Sequence, residues 1–156
     1  MKLWIAENDK KIKGSADMNP GHRTNFSKRG QKMADFMDAI GKFDNDENLE
    51  NFNHVQHILF NSPAVVYLTL PKNHTKWSIY DLGAFGMSLM LAATDLGVDS
   101  IPAYELVKYP YILRDNLPIP DDEDIIMGIA LGYESDEHIN EYKSPRLDLD
   151  DILKIN

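Results

Sequence analysis

From residue 64 onward the apolar positions fall into blocks whose spacing alternates between strand and helix. Ala64-Val65-Val66-Tyr67-Leu68-Thr69-Leu70 is β-branched and aromatic, entered through Ser62-Pro63 and closed by Pro71, and predicts a buried strand over 64–70. Ser78 with Asp81 three residues later fits a capping box. The helix it would open runs to Leu96, with Gly97 at the position of a C′ glycine. This helix is apolar on nearly every side and is expected to be buried all round, as a central helix or partly in a subunit interface. Gly83, Ala84, Gly86, Ala92 and Ala93 would let neighbouring backbones approach it closely. Beyond it the pattern predicts a short strand over 99–101, a helical stretch over 102–109, a second short helix from Pro110 to Arg114, an extended link at 117–120 and a second buried strand over 125–133.

The front of the chain is less regular. Leu3 to Ala6 reads as a short strand ended by Glu7-Asn8-Asp9-Lys10, and the Gly-, Pro- and Asn-rich run 14–24 as a loop. Phe26, Met33, Phe36, Met37, Ile40 and Phe43 recur at near-helical spacing, with Ser27 as N-cap and Gly41 as C-cap. After a polar connector at 44–48, Leu49, Phe52, Val55 and Leu59 suggest a second amphipathic helix. Past Glu134 the tail is polar until Leu147, Leu149, Ile152, Leu153 and Ile155, an apolar spacing that requires a surface to lie on. Strands interspersed with helices, without regular βαβ alternation, give an α+β class.

At 156 residues the chain suits one domain with its own core. Its 43% hydrophobic and 26% charged residues are those of an ordinary globular protein. Sixteen Lys and Arg against 25 Asp and Glu argue against general nucleic-acid binding, which needs a basic face. The absence of cysteine removes disulfides, thiolate nucleophiles and sulfur-ligated metals, and suits a reducing cytosol. The start, MKLWIAENDKK, has too short an apolar run for a signal peptide or membrane anchor, so a cytoplasmic protein is expected.

Several features weigh little. His54 and His57, at i and i+3, lack a third metal ligand of known position, and two solvated histidines are the simpler reading. Neither GxGxxG after a strand nor GxxxxGK[ST] is present. Met87 and Met90 read as core packing. Asp121-Asp122-Glu123-Asp124 lacks the spacing and glycine of a calcium loop and reads as a solvated turn.

The order of elements in the second half, with Ile101-Pro102-Ala103-Tyr104 after the long helix, GIALGY ending the strand, and Lys143 and Arg146 in YKSPRLDL, resembles the flavin-dependent nitroreductase family over residues 60–155. The resemblance implies a single nitroreductase-like domain spanning 1–156. It also implies a central, mainly antiparallel sheet flanked by helices, and a C-terminal arm crossing to the partner of a homodimer. In that family the turn after the long helix lays backbone N–H groups against the reactive edge of FMN; here it is Pro102-Ala103-Tyr104-Glu105. Two closely spaced basic residues near the end grip the flavin phosphate, and Lys143 and Arg146 stand there, an arrangement suited to charge-assisted bonds. Flavin supplies the redox chemistry, so the resemblance implies no catalytic side chain and no metal.

The chain also departs from the pattern. It has neither the family's initial Arg-rich segment nor its Pro-Ser and Asn-Gln-Pro-Trp region, and Lys2-Leu3-Trp4-Ile5-Ala6 looks like the strand that follows that Trp, as though the chain starts late. Gly86 stands where many relatives place Gln. Two readings stay open: an FMN oxidoreductase passing electrons from NAD(P)H to a nitroaromatic, quinone or similar acceptor, or a truncated, non-catalytic relative that keeps the fold and dimer but binds flavin poorly.

Overall fold

The computed structural model describes residues 2–18 and 54–143, together with Leu149 and Leu153. The expected helix over 26–43, the start of the one at 49–59, and Arg146 lie outside the described residues. The chain divides into two compact units, Met1–Gly21 with Glu50–Glu134, and His22–Leu49 with Ser135–Asn156.

The first unit is built on a three-stranded antiparallel sheet of order β1-β3-β2, with β1 Ala64–Pro71, β2 Asp99–Ala103 and β3 Glu123–Gly132. The apolar run Ile125 to Leu131 forms the middle strand because both of its neighbours and both of its faces are covered, which favours uninterrupted hydrophobicity over alternation. Between Leu68, opposite Met127, and Thr69, opposite Ile125, the register shifts and Ile126 is left as the extra residue of β3. At this bulge two successive residues, Ile125 and Ile126, are both buried.

One sheet face carries α2, Lys76–Asp95. A Cβ added at Gly86 would lie 3.2 Å from Leu68 and 3.7 Å from Ile129, so the missing side chain brings the helix down onto β1 and β3. The N-cap is Thr75, not Ser78: the Thr75 side chain accepts from the Ser78 N–H, and the Ser78 side chain in turn accepts from the Thr75 N–H. Ser78 is thus the N3 half of the box, and α2 begins two residues before it. Gly97 ends the helix as expected, at φ +74°, a conformation that strains any side-chain-bearing residue. The expectation of burial on every side is corrected within the single chain. Only Gly86 of α2 is buried, while Trp77, Tyr80, Phe85, Met87 and Leu91 are exposed.

The other face is covered by α1, Lys2–Asp9, by a 3-10 turn at Tyr104–Val107 and by α3, Pro110–Asn116. Their cluster comprises Trp4, Val107, Tyr109, Ile112, Leu113 and Ile125. The strand expected at Leu3–Ala6 is therefore a helix. Its register puts Trp4 and Asn8, one turn apart, on the buried side, and Trp4 packs edge-on against Tyr109 with ring centroids 5.1 Å apart. Residues 54–57 are helical, as expected, but Leu59, Phe60 and Asn61 turn in the left-handed region at φ 50° to 59° and do not extend the helix. Asp121 and Asp122 form the solvated turn foreseen for the acidic run, whereas Glu123 and Asp124 already belong to β3, where Glu123 accepts from the Thr69 hydroxyl.

Asp17 ties the N-terminal loop to this core. Its carboxylate accepts from Arg114 Nη2 at 2.7 Å and from the Ile125 backbone N–H at 2.8 Å, while Arg114 also donates to Glu123 O at 2.6 Å. In the second unit the described residues include a short 3-10 helix, His138–Glu141.

Candidate active site

Strand β2 runs two residues further than its sequence suggests, so Pro102 and Ala103 close the strand and do not open a helix. Pro102 can sit there because β2 is an edge strand, where a missing N–H is tolerated. The chain then turns sharply into Tyr104–Val107. Ala103 holds an extended φ of −144°, and no side chain caps the amides that follow. A Pro-initiated helix over 102–109 is thereby replaced by a strand-to-3-10 junction at 103/104. The four residues Pro102 to Glu105 form a continuous strip of backbone at that junction.

Two contacts seat the junction. Leu106, fully buried, lies over Gly128 of β3, where an added Cβ would come 2.5 Å from the Leu106 Cβ and 3.3 Å from Tyr67. Only glycine allows the turn to approach the middle strand this closely. On the outer side the N-terminal loop lies against the turn: Ser15 N–H donates to Lys108 O at 2.9 Å, and a Cβ at Gly14 would fall 2.4 Å from the Tyr104 hydroxyl.

The polar side chains behind the turn form one network. Lys108 Nζ donates to Glu105 Oε1 at 2.9 Å and to Asn8 Oδ1 at 2.7 Å, and stands 5.3 Å from the centre of the Tyr109 ring. The Tyr109 hydroxyl shares its proton between Ile12 O at 2.9 Å and Asn8 Oδ1 at 3.2 Å. Burial alone would lower the Lys108 pKa, but the hydrogen bond and charge of Glu105, with Tyr109, outweigh it and hold the ammonium above its ordinary value. Glu105 is thus turned inward, and its backbone rather than its carboxylate is what the junction presents. The sequence reading passed over Asn8, Lys108 and Tyr109. The i, i+3 spacing of Glu105 and Lys108 was the visible clue, while Asn8 lies 100 residues from Lys108.

Of the two basic residues expected at the flavin phosphate, Lys143 is exposed and follows the 3-10 helix of the second unit. Among the described residues no group of three or more His, Asp or Glu side chains is placed to hold a metal ion, and no helix is long and apolar enough to cross a membrane. A separate cavity of about 200 Å³ lies between Trp4, Leu59, Tyr67, Leu113 and Asn116. Burial pushes the Tyr67 phenol up in pKa.

Residues 5–133 match the model of the nitroreductase family. The 4-nitrobenzoate reductase of Pseudomonas putida is 26% identical over 148 residues, covering 92% of this chain and 65% of that protein. Nitroreductase NfnB of Mycolicibacterium smegmatis is 28% identical over 114 residues, 72% of this chain and 48% of that one. The chain therefore spans about half to two thirds of the length of these two relatives. In three dimensions it superposes with a TM-score of 0.86 on the FMN-dependent nitroreductase NfnB from Mycobacterium smegmatis in complex with NADPH, at 24% identity over 99% of this chain and 72% of that one. The same fold is seen in the FMN and NADPH-dependent nitroreductase NfnB from Sphigopyxis sp. strain HMH, at a TM-score of 0.82 and 18% identity over 99% of this chain and 73% of that one. The antiparallel α+β fold and the match over most of the chain agree, and the protein belongs to the nitroreductase family.

Proposed function

We propose that the protein is an FMN-dependent oxidoreductase that passes electrons from NAD(P)H to a nitroaromatic, quinone or similar acceptor. It would act in the cytoplasm as a homodimer of single nitroreductase-like domains. The observation that carries this reading is the family match together with the junction at 103/104. There the strand delivers backbone amides that no side chain caps, and the one carboxylate of the 102–105 segment is drawn away by Lys108. Such a strip suits the electron-rich edge of a flavin: donors held rigidly, with no negative charge directed at it. When bound, FMN supplies the hydride and electron chemistry. The protein's part is to bind and orient it through Pro102, Ala103, Tyr104 and Glu105, with Lys143 and Arg146 holding the phosphate.

The dimer reading is supported by α2. Trp77, Tyr80, Met87 and Leu91 recur at helical spacing along one exposed stripe of the single chain, Trp77 at 77% and Leu91 at 63% exposure.

The test is retained flavin after FMN loading and gel filtration. Tyr104→Pro deletes a backbone donor and is expected to lose flavin, while Tyr104→Ala keeps it. Lys143→Ala with Arg146→Ala is expected to lose flavin without unfolding. Equal flavin in Tyr104→Pro, Tyr104→Ala and the parent would remove the turn from the site, and equal flavin in the double variant would remove the basic pair.

A further inference from the structure

The network behind the turn has a property that its role as core does not require. Its two side-chain links across elements and along the turn meet on one ammonium. Lys108 Nζ is held by Asn8 of α1 at 2.7 Å and by Glu105 of the 3-10 turn at 2.9 Å, and the Lys108 carbonyl receives the Ser15 N–H at 2.9 Å. Its side chain is 20% exposed and that of Glu105 12%, so both charges are largely withdrawn from water. Removing one partner of such a pair strands the other charge in the interior. The turn therefore has a strong electrostatic reason to keep one geometry.

We propose that Lys108 is the positioning residue of the flavin-facing turn. It grips the Glu105 side chain from behind and so fixes the direction of the Tyr104 and Glu105 backbone N–H groups, with Asn8 holding the ammonium in place. The proposal rests on the reading of residues 102–105 as the flavin contact. It adds that the donors are pre-organised by a side-chain tether 100 residues apart in sequence, from Asn8 to Lys108. Hydrophobic seating over Gly128 sets where the turn lies, and the tether sets which way its amides point. Because the Lys108 pKa is raised, the tether stays charged throughout the neutral and mildly alkaline range.

The experiment uses the full chain and the variants Lys108→Met, Lys108→Arg and Ile112→Val, the last a control that weakens the core without touching the tether. Backbone ¹⁵N order parameters are measured without flavin, and FMN dissociation constants by fluorescence quenching. Lys108→Met is expected to lower the order parameters of Tyr104 and Glu105 from about 0.85 to below about 0.6 while those of β3 hold. FMN binding should weaken at least about tenfold, roughly the loss of one charge-assisted contact. Lys108→Arg, which keeps the charge, should recover part of both effects, and Ile112→Val should move neither. Unchanged order parameters at Tyr104 and Glu105 in a folded Lys108→Met protein overturn the proposal. If those amides loosen in Lys108→Met but FMN affinity is the same, and Tyr104→Pro keeps its flavin as well, the tether is real and the turn is not the flavin contact, so the reading beneath falls instead. Flavin loss in Tyr104→Pro with none in Lys108→Met keeps the reading and removes Lys108 from it.

Discussion

At the scale of single residues, much of this fold depends on side chains that are absent. Gly86 lets α2 settle on Leu68 and Ile129, and Gly128 lets Leu106 settle on the middle strand. At Gly128 the clash would be with a Cβ that has no rotamer to escape through, so the turn itself would have to move. Gly128→Ala is expected to destabilise the protein by about 1–3 kcal/mol, the usual range for overpacking a filled core. It would appear as a lower urea midpoint at unchanged m-value. The same substitution should reduce retained FMN, since it lifts the 104–107 turn. A stability loss with full flavin retention would show that the turn tolerates the displacement. Gly86 has a related significance: a Gln there would start its side chain into the sheet, so this position is settled here by packing.

Among the elements, those with long or β-rich patterns were legible and those with short ones were not. β1, β3 and α2 could be read because β-branched runs and twenty helical residues each leave one dominant way to bury their apolar side chains. Leu3-Trp4-Ile5 is too short to distinguish strand from helix. What decided it was distant: Tyr109 offers Trp4 an aromatic edge and Asn8 a hydrogen bond, and only a helix turns both residues to the same side. The helical turn expected at Pro102 failed for a similar reason, since pairing of Ile101 to Ala103 with Gly128 to Ala130 extends the strand through the proline. The resemblance to a family singles out the 102–105 segment as the candidate site, but the tether behind it was invisible, because no local pattern joins Asn8 to Lys108. A link between α1 and α3 gives a pH test. The Tyr111 hydroxyl donates to Glu7 Oε2 at 2.7 Å, and that bond is the main reason its pKa is pushed up to about 12. A phenol whose folded pKa exceeds its unfolded value of about 10 contributes stability in full below about pH 10 and loses it as the pH rises through about 12. The stability difference between the parent and Tyr111→Phe should therefore be constant up to about pH 10 and vanish by about pH 12, as read by urea denaturation across that range. Glu7→Gln should bring the Tyr111 titration, followed by absorbance, back toward 10.

For the whole molecule, the exposed stripe on α2 is the feature most at odds with a chain that functions alone. Large apolar side chains facing water along several turns of one helix are a standing liability to aggregation unless another surface covers them. The proposed two-fold partner would cover them with the same stripe, as a self-complementary contact requires. Light scattering at low micromolar concentration should give a single species of twice the chain mass. Leu91→Glu, placing a charge at the C-terminal end of the stripe, should shift it toward the monomer. A folded parent of monomer mass would refute the dimer.

The Asp17 carboxylate bears on how the chain assembles. It joins a loop near the N-terminus to Arg114 and Ile125, residues 97 and 108 positions away, and Asn8 to Lys108 spans a similar distance. None of these bonds has its acceptor and donor within one element, so each is gained only by closing a loop of roughly a hundred residues. Closing a loop of this length costs conformational entropy before any contact repays it. The N-terminal segment is therefore expected to dock late in folding, and the proposed tether behind the 102–105 turn to close with it.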